Sequence, residues 1–436
     1  MIDVGWIARI RQKTRSFAVI GWLVVLPTPS LGANDVDAVR VSVEATSPKG
    51  TLSLTWGELV HVVDQHPRLS VSRLQAEAVR REAAVVRAVP NPLLEGNVGQ
   101  GVSRTDGTSR FEWGLAVTMP LGWLVQRGVH TDVANAESAV ALAETEVLRR
   151  DVLFELRSLF WNLAYEQFRV ASLQALETET RTLATSVKKR VEKGESRPIE
   201  ATRVELELEK VISELTTART LRDSREAALT LWLNVPSGTH LSVDADFDTL
   251  PSVIERDAAL SRVRAGHPLL NVANARLRLR DAELRAEKLA TVPSFALRGS
   301  ASHELDRRAY GVGVAVNIPL FDWNTGRIEQ AESRRAAESK QVEATVFELS
   351  ETVLAVQAAC AASVATAVRA RDNVVPRAEI TASTMERTYA LGEVGLLDVI
   401  DARRGLLEAR RAYLSALAVA QIDCSRLSVL IGETLQ

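Results

Sequence analysis

Phe111-Glu-Trp113-Gly-Leu115-Ala-Val117-Thr-Met119 alternates strictly between large apolar residues and small or polar ones. Tyr310-Gly-Val312-Gly-Val314-Ala-Val316-Asn-Ile318 repeats the alternation in register, 199 positions later. A period of two puts the large side chains on one face of a β-strand and Glu112, Gly114, Ala116, Thr118 and their counterparts on the other. Residues 94–102 and 295–302 read as partner strands of less regular alternation, and the polar stretches 103–110 and 303–309 join each pair as a hairpin would. A strand of about nine residues suits a tilted crossing of a bilayer. The expected arrangement is therefore a lipid-facing band of Phe111, Trp113, Leu115, Val117, Tyr310, Val312, Val314 and Val316 around a polar lumen. A single hairpin of this kind would be read as a sheet packed on helices. Two copies in register favour the barrel. Four strands are too few to close one, so several chains must share it.

The strands sit inside a duplication. His66-Pro67 recurs as His267-Pro268, Pro92 as Pro293, Met119-Pro120-Leu121 as Ile318-Pro319-Leu320, and Gly194-Glu195 as Gly392-Glu393, at offsets from 198 to 201. These landmarks divide the chain into a signal peptide (1–33), an N-terminal linker (34–52), a first structural repeat (53–235), a linker (236–255), a second repeat (256–432) and a tail (433–436). In the first repeat the strands are expected at about 93–119 and a helical hairpin at about 124–233; in the second, at about 294–318 and 324–431. A moderate helix precedes each strand pair, at about 68–88 and 269–290.

From Gln126 to Glu192 the chain has no proline and only one glycine, Gly128, which predicts a helix of roughly 100 Å. Such a helix needs partners along its length. Apolar residues step by threes and fours at Val129, Val133, Ala136, Val140, Ala143 and Val147, and again at Val204, Leu208, Val211, Leu215 and Ala218. Val346, Leu349, Val353, Val356, Cys360, Ser363 and Ala367 keep the rhythm, as do Val399, Ala402, Leu406, Ala409, Tyr413, Ala416 and Ala420. That spacing is the seam of a coiled coil. Pro376 should kink the second long helix or divide it. The fold class expected is mostly α, with long coiled-coil hairpins and a β-barrel contribution of two β-hairpins per protomer.

Bulk composition narrows the function. With 46% hydrophobic residues and a net charge of −2 over 436 residues, a buried core is expected and nucleic acid is not. Arg9, Arg11, Lys13 and Arg15 precede an apolar run at 17–26 and then Pro27 and Pro29, the pattern of a secretory signal; a short anchor is the alternative. No later stretch approaches 18 uninterrupted apolar residues, so no transmembrane helix is expected in the mature chain, and membrane entry would be as a closed barrel. Two cysteines and six scattered histidines form no metal-ligand cluster; His61 and His66, five apart, miss the spacing of a helical ligand pair. Gly311-Val-Gly313 lies inside a strand and not at a phosphate-binding turn, and no catalytic motif is present. An enzyme is not expected, nor any cofactor, catalytic residue or resident metal. Cys360 and Cys424 flank position 392 symmetrically; a disulfide is one reading, two small core residues the plainer one.

The long helices end at Gly194-Glu195-Ser196 and at Gly392-Glu393-Val394-Gly395, where glycine stops the incoming helix and Pro198 suits the first turn of the next. Just inside the second tip, Asp398 and Asp401 share a helix face. Around a symmetric assembly they would form stacked acidic rings that select cations. From the residues alone, an ordinary charged helix start leads.

This pattern resembles the TolC-type outer-membrane efflux proteins over nearly all the chain after residue 33. The duplication, the strand ends Met119-Pro-Leu and Ile318-Pro-Leu, and Tyr389-Ala-Leu-Gly392-Glu-Val-Gly-Leu-Leu-Asp398-Val-Ile-Asp401-Ala carry the resemblance. It implies a homotrimer with a twelve-stranded barrel in the outer membrane and a large periplasmic helical portion. It also implies a passive duct in a tripartite complex with a periplasmic adaptor and an inner-membrane pump of RND type. On the same ground Asp398 and Asp401 would line the periplasmic aperture, which reverses their order of readings, and the two tips would contact the adaptor. Glu200 and Arg203 stand at the equivalent places of the first copy, and Val394 stands where a latch arginine is found in the family, so a latch of that kind is not expected here. Pro90-Asn91-Pro92 is similar to the heavy-metal (CzcC-like) branch, which suggests metal-cation efflux. The alternatives kept open are a duct for protein secretion and a periplasmic coiled-coil scaffold or adaptor.

Overall fold

The computed structural model describes residues 51–102, 107–235, 239–246, 249–304 and 307–432. The expected signal peptide at 1–33, the rest of the linker up to residue 50 and the tail at 433–436 lie outside the described residues. Within them the chain is mostly helical, and its elements recur in one order. The first set is β1 (Thr51–Thr55), α1 (Trp56–Val63), α2 (Pro67–Arg87), β2 (Leu93–Val102), β3 (Ser109–Pro120), α3 (Trp123–Glu192) and α4 (Pro198–Trp232). The second is β4 (His240–Asp244), α5 (Arg256–Gly266), α6 (Pro268–Leu289), β5 (Ser294–Glu304), β6 (Arg307–Asn317), α7 (Thr325–Arg369), α8 (Val375–Ala390) and α9 (Leu396–Ile431).

The linkers are more structured than the sequence suggests. β1 and β4 pair in parallel, Thr51 opposite His240 through Thr55 opposite Asp244, so the stretch 236–255 contains a strand. Each of these two strands precedes a short helix. Thr55 caps α1 in a reciprocal box, its N–H donating to Glu58 Oε2 at 2.8 Å.

The recurring His-Pro pairs have a local cause. His66 and His267 are the N-caps of α2 and α6: His66 Nδ1 accepts the Arg68 N–H at 3.3 Å and His267 Nδ1 accepts the Leu269 N–H at 3.1 Å. The following proline occupies the first helical position, where an N–H would have no partner. His66 is thus a half-buried cap.

α3 runs unbroken for 70 residues, with α2 and α6 packed along its first part and α4 along its second. One core joins α1, α3, α4 and β4 through Leu59, Val63, Leu156, Phe160, Leu163, Leu229 and Leu241. A second joins α5, α7 and α9 through Val263, Leu349, Val353, Leu427 and Ile431. The expected seams on α4 and α7 are buried at Val204, Val211, Leu215 and Ala218 and at Leu349, Val353, Val356, Cys360 and Ala367. On α3 the seam is displaced: Val129, Val133, Ala136, Val140, Ala143 and Val147 are only half-buried, while Ala134 and Ser138 are covered.

Two further readings change. Cys360 and Cys424 are bonded, with Cα atoms 4.8 Å apart, and close a 64-residue separation between α7 and α9. Pro376 does not divide its helix. Helix continues from α7 into α8 through a π-turn at Ala370–Val374, where the Val375 N–H donates to Ala370 O five residues back. A proline lacks the N–H that would bond four residues back and its ring crowds that carbonyl; the wider turn just upstream relieves both.

The helices also correct the expectation about apolar spans. The helical runs Thr325–Ala390 and Leu396–Ile431 each hold a stretch long and apolar enough to cross a membrane, with mean hydropathy 1.6 and 1.5. Interruption by single polar residues hid these stretches from a count of uninterrupted runs. A third and a half of them, respectively, are buried within the chain, where α7 packs on α9 around the disulfide. Close helix packing is a sufficient cause of that composition.

Candidate functional site

The four longer strands form one antiparallel sheet in the order β2-β3-β5-β6. Antiparallel partners directly opposite share a face, so the register fixes the two surfaces. Val98 lies opposite Trp113, Leu115 opposite Ala301, Leu297 opposite Val314, and Phe295 opposite Val316. All eight residues expected in the apolar band, Phe111, Trp113, Leu115, Val117, Tyr310, Val312, Val314 and Val316, fall on that one face and are exposed. Leu94, Val98, Phe295 and Leu297 join them from β2 and β5. The weak alternation of those partner strands had concealed this contribution, since Gly96 and Gly299 interrupt the pattern.

The opposite face carries Glu95, Asn97, Glu112, Gly114, Thr118, Arg298, Ser300 and Ser302. Glu95 and Arg298 stand on strands either side of β3 and pair at 3.3 Å, reaching over the buried Ala116. Small residues on β3 leave room for that crossing. Among the described residues, the outer edges of β2 and β6 pair with no strand.

At the far ends of the long helices the two tips are built alike. Gly194 and Gly392 adopt φ of 76° and 78°, a left-handed conformation that side chains disfavour. Around them the Glu195 N–H donates to Arg190 O at 2.8 Å and the Glu393 N–H to Thr388 O at 3.0 Å, which satisfies carbonyls at the helix ends. Ser196 precedes the Arg197 cap of α4, and Val394 and Gly395 precede α9. The tips are neighbours: the Arg190 guanidinium lies 5.3 Å from the centre of the Tyr389 ring, above a cluster of Val187, Val204, Leu396 and Ile400.

Asp398 and Asp401 are both exposed on α9. Asp398 Oδ2 accepts the Gly395 N–H at 3.0 Å, so this carboxylate does perform the ordinary task of a helix start. With Gly405, Glu408 and Ala412 the two aspartates form a stripe along a groove of about 850 Å³ against Met385, Thr381 and Val374. Among the described residues neither Asp401 nor Glu408 has an ion-pair partner. Arg403, Arg404, Arg410 and Arg411 of α9 are engaged elsewhere, in a ladder with a seven-residue repeat. Arg403 pairs with Glu386 at 2.7 Å and Arg410 with Glu379 at 2.9 Å, both on α8. Arg404 Nε donates to Glu207 at 2.6 Å and Arg411 pairs with Glu214 at 3.0 Å, both on α4. The carboxylates of Glu207, Asp401 and Glu408 hold the Arg404 guanidinium above its ordinary value. Sequence reasoning missed this ladder, although two Arg-Arg pairs seven apart were its signal.

No group of three or more His, Cys, Asp or Glu side chains that could hold a metal ion occurs among the described residues. The described surfaces offer a non-polar band, a polar face and an acidic stripe.

Comparison with known proteins bears on the fold. The outer membrane efflux protein family matches residues 259–433. Over 424 residues the chain is 24% identical to the cobalt-zinc-cadmium resistance protein CzcC of Cupriavidus metallidurans, covering 96% of this chain and all of that one. The fold is similar to that of CusC, a transmembrane channel, with a TM-score of 0.72, 16% identity and coverage of 88% and 94% of the two chains. It is equally similar to the open state of the MtrE outer membrane channel of Neisseria gonorrhoeae, with a TM-score of 0.72, 18% identity and coverage of 87% and 89%. The outer-membrane channel OprN gives a TM-score of 0.70 at 17% identity, over 91% and 96%.

Proposed function

We propose that the protein is the outer-membrane subunit of a tripartite efflux system, a reading supported by the match of the outer membrane efflux protein family to residues 259–433. It is a passive duct and not an enzyme. The observation that carries the reading is the sheet. One face presents exposed apolar side chains on all four strands, the other is mostly polar, and among the described residues both outer edges lack a strand partner. In water such a surface and such edges would aggregate. In a bilayer, every backbone group must be paired, which requires closure. Three copies, each adding β6 of one chain to β2 of the next, supply twelve strands and close the ring.

The aspartate stripe then lies at the opposite end, near the helix tips. Repeated around a threefold axis, Asp398 and Asp401 form the periplasmic aperture, and Gly194–Ser196 with Gly392–Gly395 meet a periplasmic adaptor that links the duct to an inner-membrane pump. The likeness to CzcC supports cobalt, zinc and cadmium ions as cargo. Nothing tight is needed to hold them, because a duct must release what it carries.

Two measurements test this reading. The protein should stay in the membrane through a carbonate wash and, extracted in detergent, should size as a trimer; release without detergent defeats the barrel. Deletion of the gene should sensitise cells to cobalt, zinc or cadmium. Sensitivity confined to dyes and drugs would reassign the cargo while leaving the duct in place.

A further inference from the structure

Arg157 of α3 differs from its neighbours. On the same helix Arg149 pairs with Asp64 at 2.9 Å, Arg150 with Glu146 at 3.6 Å and Arg169 with Glu166 at 3.2 Å. Among the described residues Arg157 pairs with no carboxylate. Its guanidinium lies over the Trp56 ring, 4.1 Å from the ring centre, and 5.7 Å from the centre of Trp161. Its Nε donates to Ser425 Oγ at 3.2 Å. The N–H groups on the two Nη atoms have no partner among the described residues. Burial pushes the guanidinium down to about 10 from an ordinary 12.5, so it still carries its charge at neutral pH. A half-buried charge without a counter-charge costs stability.

Arg157 lines a cavity of about 640 Å³ together with Trp56, Trp161, Thr249, Ser252 and Ser428. That volume falls within the ~300–1,000 Å³ of ordinary small-molecule sites. The walls come from α3 of the first copy, the linker at 249–252 and α9 of the second copy. The linker is pinned there. Gln421 Nε2 donates to Thr249 O at 2.9 Å, and Asp246 Oδ1 accepts the Thr249 N–H at 3.2 Å. Ser425, whose hydroxyl meets Arg157, is itself buried and donates to Gln421 O. Asp244 and Asp246 line the same cavity but are exposed to water, which screens their charge.

We propose that this cavity is a binding site for a small oxyanion of the phosphate class, held by the two Nη atoms of Arg157. A planar guanidinium presents parallel N–H groups that match two oxygens of one phosphate, and such a charge-assisted pair is among the stronger hydrogen-bonded contacts. The Trp56 face holds the guanidinium in its plane and so directs the fork. Bound there, the anion supplies the missing counter-charge and joins α3 of the first copy to the linker and to α9 of the second. The site is independent of the sheet and of the acidic stripe on α9.

Equilibrium dialysis of the full-length protein in a maltoside detergent, against radiolabelled inorganic phosphate, tests the site. Ionic strength is held constant with sodium chloride. Phosphate should bind saturably, with a single ion per chain. Arg157→Gln keeps hydrogen-bond donors but no charge and should weaken binding by about tenfold or more. Arg157→Lys keeps the charge and loses the fork, and its affinity should fall between those of the native chain and Arg157→Gln. Unlabelled glycerol 1-phosphate distinguishes the sources. Displacement of the label assigns the site to phosphomonoesters such as a lipid headgroup, and failure to displace it assigns the free ion. Absence of saturable phosphate binding to the native protein overturns the site, as does an unchanged affinity in Arg157→Gln. Should Arg157→Gln not assemble, Ser428→Phe fills the cavity while leaving Arg157 in place. It should abolish binding, and full retention there is equally decisive against the site.

Discussion

At His267 one imidazole serves the start of α6, and that service requires it to be neutral. Its Nδ1 accepts the Leu269 N–H, which a protonated ring could not do. Burial, aided by the nearby Arg150 charge, pushes its pKa down to about 4 from an ordinary 6.5. Because the folded pKa is depressed, its contribution to stability is complete above about pH 6.5 and is lost as pH falls toward 4. A shift of this size corresponds to on the order of 2 kcal/mol, discounted for partial solvation. His267→Asn keeps a cap acceptor but does not titrate. Unfolding midpoints measured from pH 7 to pH 4 should fall less steeply for the variant than for the native chain; parallel curves would show that His267 is not the source. The sequence exposes His66-Pro67 and His267-Pro268 as landmarks of a repeat. It does not expose the cap, because a histidine is a less familiar helix-capping residue than serine or aspartate.

Elements were legible wherever one periodicity dominated. The strict alternation of β3 and β6 places every large side chain on the exposed face found for it, and proline and glycine mark both helix tips. Three elements were not legible, for different reasons. β4 is only five residues long and gains its partner, β1, from a segment 189 positions earlier, which no local pattern announces. The displaced seam of α3 reflects two flanking helices, α2 and α6, where a simple coiled coil has one. The pairing of Cys360 with Cys424 depends on how α7 lies against α9, and spacing alone cannot distinguish a bond from two small core residues. That bond has a thermodynamic consequence. Closing a 64-residue separation removes unfolded-state freedom worth about 4 kcal/mol on a chain-entropy scale. Denatured, unreduced protein should therefore take up no alkylating reagent and reduced protein two equivalents. Cys360→Ala with Cys424→Ala should unfold at clearly lower urea; two reactive thiols before reduction would remove the bridge.

At the scale of the proposed trimer, the acidic stripe would matter through its repetition. Asp398 and Asp401 in a single chain are two exposed carboxylates, one of them a helix cap, and carry no distinction from an ordinary helix start. In the proposed trimer, three chains around one axis would bring three such pairs toward a common opening, where like charges facing a narrow, low-dielectric passage would concentrate cations. The ladder of Arg403, Arg404, Arg410 and Arg411 is consistent with this role, since it pairs these arginines with glutamates of α8 and α4. It leaves Asp401 and Glu408 without a direct ion pair among the described residues, with Arg404 as a nearby positive charge. The cap dictates the choice of variant. Alanine at 398 would remove both the charge and the Gly395 hydrogen bond, confounding gating with folding. Asp398→Asn with Asp401→Asn removes the charge and retains an acceptor for the Gly395 N–H. In planar bilayers under a salt gradient, the double variant should keep its trimeric size and its ability to insert. Its reversal potential should move toward zero as cation preference declines, and block by divalent cations should weaken several-fold. Glu408→Gln, two turns further along the stripe, should add a smaller change of the same sign. A double variant whose reversal potential matches the native duct would place the selective constriction elsewhere and reduce Asp398 to its capping task.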